Sequence, residues 1–189
     1  MAESRRLDLM GLTLFLAVTA AAFLVRAWYV NTCDAGNHSG PLMVQSPDPH
    51  LEELVRHVHQ GEGFVLADSA GKLQPWAGSE PLYPYVVASV QAVDDAADPY
   101  RQVRWLQAGL GALAAGLLSL CCYVAFQSRL TAIVAGVLAS LHPFWVVETT
   151  ALSDGTLAVF LMAAVLAFGV LGSRRQNAIS ALLFGLALG

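Results

Sequence analysis

The sequence predicts an all-α fold, a polytopic transmembrane helix bundle with short interfacial helices in its first extracytoplasmic loop. Three observations predict it. Only 13% of the residues are charged, against about 25% in soluble domains. The apolar residues, 56% of the chain, lie in long blocks rather than spread as a soluble core spreads them. The arginines fall at alternate ends of those blocks. Together these exclude a disordered chain, a coiled coil and a nucleic-acid binder, and they weigh against a soluble enzyme.

A membrane helix needs roughly 20 apolar residues, within a range of about 17–25. Uncharged runs over 9–25, 105–126, 130–147 and 155–172 meet that length, so four complete spans are expected. A fifth run opens at Ala178 and stops at Gly189, too short to span. The chain divides into 1–30, the N-terminal segment and first span; 31–102, an extracytoplasmic loop; and 103–189, spans two to four with the start of a fifth. Arg5 and Arg6, with Ala20-Ala21-Ala22, also fit a signal peptide. The run continues through Phe23-Leu24-Val25, however, and is flanked by Arg26, Trp28 and Tyr29, the interface anchors of a retained span. Arg26 is expected to snorkel to the interface.

The positive-inside bias sets the orientation. Arg5 and Arg6 precede span one, Arg129 lies between spans two and three, and Arg174 and Arg175 follow span four. Alternation puts all of these in the cytoplasm of a cell-membrane protein and residues 31–100 outside. That outer loop holds ten of the fourteen acids and only Arg56 and Lys72 as bases. Arg101 and Arg104, at the outer end of span two, run against the bias. All five histidines fall on the outside, so the polar chemistry is extracytoplasmic. Cys33 in the loop and Cys121 and Cys122 within a span offer no plausible disulfide. Asn37-His38-Ser39 is a glycosylation sequon.

Small residues recur every four positions: Thr13, Ala17 and Ala21 in span one, Ala108, Ala112 and Gly116 in span two, Ala132, Gly136 and Ser140 in span three. Such ridges let helices approach closely in lipid. No span carries a mid-membrane acid or base, which argues against an ion-coupled transporter.

In the outer loop, Leu51, Leu54, Val55 and Val58 follow the i, i+3, i+4, i+7 spacing of an amphipathic helix over 49–60. Asp48 suits its N-cap, Pro49 its first position, and Gly61 its end. This helix is too short to span and is expected to lie on the membrane with its apolar stripe down. A Gly61-Glu62-Gly63-Phe64 turn and a polar stretch to Trp76 follow. Pro81-Leu82-Tyr83-Pro84 then opens a second non-spanning helix near 82–93.

The order of these features resembles the N-terminal part of the GT-C membrane glycosyltransferases. The marks are one span, an Asp opening a surface helix, a Gly-x-Gly-Phe turn, a Pro-Leu-Tyr-Pro segment and Arg104-Trp105-Leu106-Gln107 entering the next span. Leu141-His142-Pro143 then ends span three, and Leu152-Ser153-Asp154-Gly155-Thr156-Leu157 enters span four. The chain is most similar to users of polyprenyl-phosphate sugars, related to protein O-mannosyltransferases and lipid A aminoarabinose transferase. Since such enzymes carry a dozen or so spans, the resemblance implies that only an N-terminal part is present. It implies a polyprenyl-phosphate sugar donor, a lipid bilayer around the protein, and a lipid, glycan or protein acceptor, with no nucleic acid. The alternative is a truncated paralogue or assembly subunit without turnover.

Sugar transfer from a lipid phosphate needs a carboxylate to deprotonate the acceptor and positive charge, a metal or helix N-termini to stabilise the departing phosphate. The resemblance makes Asp48 the catalytic base and Asp154 a second site carboxylate, able to hold a metal or orient the acceptor. By residue type alone each is equally a helix cap. Glu148, His142, Tyr83 and Lys72 join as substrate-binding candidates. The residues admit a divalent metal without specifying one. His57 and His59, two apart, point about 200° apart on one helix and are expected to be surface histidines rather than a metal pair.

Overall fold

The computed structural model describes residues 2–34, 49–67, 71–76, 81–92, 100–175 and 185. Its elements are α1 (Ala2–Asp34), α2 (Pro49–His59), β1 (Val65–Ala67), β2 (Leu73–Pro75), α3 (Leu82–Gln91), α4 (Arg101–Phe126), α5 (Arg129–Leu141), α6 (Pro143–Val147) and α7 (Gly155–Arg175). Three helical stretches are long and apolar enough to cross a membrane: Leu9–Thr32, Arg101–Phe126 and Gly155–Ser173. At 1.5 Å per residue they are about 36, 39 and 28 Å long, matched to a hydrocarbon core of about 30 Å.

The expected third span is different. Its helix stops at Leu141 after 13 residues, about 20 Å, and the chain restarts as the short α6. Pro143 is the cause. It has no N–H to donate into the preceding turn, and its ring forces the residue before it out of the helical region. His142 accordingly adopts φ −61°, ψ 114°. The described residues therefore hold three helices of spanning length, not four. The fifth apolar run lies outside them, residue 185 excepted.

Helix α4 is the hub and packs against α1, α5 and α7. The α4–α5 corner is tight. Gln127 ends α4 in the left-handed region at φ 52°, and the Ser128 side chain caps α5 by accepting from the Thr131 N–H at 3.3 Å. Small residues set the close approach, as expected for spans two and three: Ala108, Ala112 and Ala132 are buried, and a Cβ on Gly136 would stand 2.7 Å from Val18. In α1 the packed face is another one. Thr13, Ala17 and Ala21 are exposed, while Gly11, Ala22, Arg26, Tyr29 and Val30 are buried. Gly11 meets Tyr123, and Gly116 of α4 leaves room for Phe15 and the Thr19 hydroxyl. Complementarity to α4 decides between two faces that both carry small residues.

Both outer-loop helices form. Helix α2 ends in a Schellman motif: Gly61 takes φ 75°, its N–H donates to Val58 O and the Glu62 N–H donates to His57 O. The apolar stripe of α2 does not lie on the membrane. Leu51 and Val55 pack into a cluster with Tyr83, Val87 and Ala88 of α3, Val103 of α4 and Leu152. That protein-lined site removes them from water without lipid. Between the two helices the polar stretch contains an antiparallel hairpin, Val65 opposite Pro75 and Ala67 opposite Leu73. All three residues of β2 are exposed, so no apolar alternation marked the strand.

Candidate functional site

The site is built where α6 hands over to α7. Glu148 closes α6. Its carboxylate accepts from the Ser153 hydroxyl, and its backbone carbonyl accepts from the Thr156 hydroxyl at 3.3 Å. The acid thus folds back over the first turn of α7, where the helix dipole favours negative charge. Gly155 permits it: a Cβ there would stand 2.5 Å from Glu148 Oε1. Asp154 is exposed at the same turn, and its carbonyl accepts the Ala158 N–H at 2.9 Å.

Gln107 ties this turn to α3. Buried on α4, its Nε2 shares its two hydrogens among Ala151 O at 3.1 Å, Ser153 O at 3.0 Å and the Tyr83 hydroxyl at 3.2 Å. Tyr83 is buried on α3. Burial first, then the charge of Asp154, hold its phenol well above the usual range; the Gln107 hydrogen bond opposes them, and the charge of Glu148 adds less. Tyr83, distant in sequence, is thus gathered with Glu148 and Asp154 at one place.

Beside them opens a cleft of about 110 Å³, lined by Arg26, Gly111, Phe144, Trp145, Glu148 and Thr156 among others. His142 is exposed and sits on Trp145, ring centroids 5.1 Å apart, so it lies at the rim. Lys72 is exposed on the hairpin next to β2 and is not among the residues that line the cleft. Asp48 lies outside the described residues. Among the described residues no three His, Cys, Asp or Glu side chains group as a metal site.

Two side chains depart from expectation. Arg26 does not snorkel. It is 1% exposed and donates to Ala22 O, Ala139 O and Ser140 O at 3.2, 3.4 and 3.5 Å. The break at Pro143 leaves the last carbonyls of α5 without helical partners, and in an apolar surrounding those must be satisfied. The guanidinium supplies the donors. His57 is also buried, because it shares the inner face of α2 with Leu54. Its Nδ1 lies 2.5 Å from Glu62 Oε2 and its Nε2 lies 3.6 Å from Glu53 Oε1. His59 is exposed, as expected.

Sequence reasoning read Arg26 as an interface anchor and met Ser153 and Gln107 only within motifs, and it placed none of the three in the site. The available signal for Arg26 was its register with Ala22 and Val30, which puts the charge on a small-residue face rather than on a lipid-facing one.

The family model for dolichyl-phosphate-mannose-protein mannosyltransferase matches residues 72–189, more than half of the chain. The chain belongs to that family. This mannosyltransferase-family membership and the three apolar helices make it a membrane glycosyltransferase. The matched stretch contains Tyr83, Gln107, Glu148, Ser153 and Asp154, whereas Arg26 and Asp48 precede it. No curated protein and no solved structure matches the chain.

Proposed function

We propose that this mannosyltransferase-family chain transfers a sugar, mannose by the family's description, from a polyprenyl-phosphate donor to an acceptor hydroxyl on the extracytoplasmic side. The observation that carries the reading is the convergence of Tyr83, Glu148 and Asp154 on one turn beside an open cleft, within the stretch that matches the family. In the reaction the acceptor oxygen bonds to the anomeric carbon, and the bond from that carbon to the phosphate oxygen breaks. The phosphate keeps the electron pair and a carboxylate takes the acceptor proton. Asp154 is exposed and suited to meet an incoming acceptor. Asp48, one residue ahead of α2, is the second candidate for the base. Glu148 lines the cleft, Tyr83 is tied to the same turn through Gln107, His142 flanks the rim, and Lys72 is a candidate for the donor's charge. The Arg5/Arg6, Arg129 and Arg174/Arg175 pattern supports an extracytoplasmic site.

The test is transfer of radiolabelled mannose from polyprenyl-phosphate mannose in proteoliposomes holding the full chain. Asp154→Asn and Asp48→Asn should each lower turnover at least about 100-fold with the thermal unfolding midpoint kept. Wild-type turnover in both variants would remove the carboxylates from catalysis. No transfer by the unaltered protein would favour a non-catalytic paralogue.

A further inference from the structure

Arg26 carries more hydrogen-bonding capacity than its structural duty uses. A guanidinium has five N–H donors in a fixed planar fork and stays charged in proteins. The bonds to Ala22 O, Ser140 O and Ala139 O occupy both Nη1 hydrogens and one on Nη2. The Nε–H has no partner at all. What remains, Nε–H with one Nη2–H, is the edge that grips a phosphate or carboxylate through two parallel bonds. No carboxylate pairs with Arg26 among the described residues. Glu148 lines the same cleft, but its carboxylate is engaged by Ser153 over the start of α7.

A buried charge without a counter-ion is costly, and this one borders a cleft. The neighbouring helix is shaped for it. Gly111 of α4 faces the guanidinium, and a Cβ there would stand 2.7 Å from Nε. Phe144 and Trp145 give the rest of the cleft an apolar wall. A charged edge at the end of an apolar recess fits a phosphate carried on a hydrocarbon chain.

We propose that Arg26 is the receptor for a phosphate group in this cleft, gripping it through the Nε–Nη2 edge. The inference rests on the transferase reading for the identity of the phosphate, which would be that of the polyprenyl donor. On departure of the sugar that phosphate gains a negative charge, and a fixed guanidinium stabilises it most at that moment.

The experiment reads binding, not transfer. The full chain in detergent is titrated with geranylgeranyl monophosphate, with geranylgeraniol and with inorganic phosphate, and the shift in unfolding temperature gives each affinity. The wild type should bind the phosphate lipid roughly tenfold or more tightly than the alcohol. Arg26→Met should erase that difference and leave the alcohol unaffected. Since Arg26→Met also strips donors from α5 and could unfold it, Gly111→Ala, which crowds Nε, is the second variant and should weaken the phosphate lipid selectively. Competition by inorganic phosphate would support a site that reads phosphate alone, and its failure to compete would support a lipid-borne headgroup. Equal wild-type affinity for the lipid phosphate and the alcohol would overturn the proposal. A protein that prefers the phosphate but transfers no sugar fails the transferase reading alone. One that transfers sugar without that preference fails this inference alone.

Discussion

Glu148 and Gly155 meet at a distance that only glycine allows, since a Cβ on residue 155 would stand 2.5 Å from the Glu148 Oε1. The carboxylate sits where α7 begins because the seventh residue after it has no side chain. Exposed helical glycines gain about 0.4–1 kcal/mol of stability on replacement by alanine. Here the sign should reverse. Gly155→Ala should destabilise the protein by about 1–3 kcal/mol, the usual range for an overpacked contact, and should lower sugar transfer by displacing Glu148. Denaturant unfolding in detergent measures the first effect. A stabilised variant would show that Glu148 is free to move aside.

The Tyr83 phenol makes an alkaline signature. Its folded pKa is raised, chiefly by burial and then by Asp154, so the folded state holds the proton after the unfolded chain has released it. The associated stability is fully present below the unfolded value of about 10 and is lost as pH rises from there through the folded value. Thermal midpoints should therefore fall more steeply above pH 10 in the wild type than in Tyr83→Phe. In Asp154→Asn the phenol should ionise at lower pH, read by tyrosinate absorbance. An unchanged titration in Asp154→Asn would separate the two groups.

Orientation is open to chemical labelling. An impermeant maleimide applied to intact cells should reach Cys33, placed outside by the arginine distribution. It should not reach a cysteine substituted for Ser173, next to Arg174 and Arg175, when Cys33 is replaced by Ser. The reverse pattern would put the cleft on the cytoplasmic side.

The helices were legible because burying an apolar run in lipid demands a fixed length, and a run such as 105–126 has few other fates. The two loop helices were legible from the Leu51-Leu54-Val55 spacing and from the Pro-Leu-Tyr-Pro start. The end of α5 was also written in the chain, at His142-Pro143, but hydropathy does not register a missing N–H. The β1–β2 hairpin left no trace because its second strand buries nothing. Tyr83, Glu148 and Asp154 were named from residue type and resemblance, and the fold brings them together. Lys72 is exposed beside β2 and is not among the cleft-lining residues, and Asp48 falls outside the described residues. Arg26 was misjudged because its place near a span end outweighed its register with Ala22 and Val30, which marks a packed face. That its partners lie at the end of α5, more than a hundred residues later, is written nowhere near it in the chain.

That separation orders the protein's biosynthesis. Arg26 finds its acceptors 113 and 114 residues downstream, on Ala139 and Ser140. At about 5–20 residues per second, the ribosome takes roughly 6–23 s to deliver them. For that interval α1 carries, toward its C-terminal end, an arginine whose acceptors on α5 are not yet made, and an arginine facing lipid is costly. Helix α1 is thus made well before it can be seated, and a nascent chain arrested before Ala139 should hold α1 at the insertion machinery rather than release it into the bilayer.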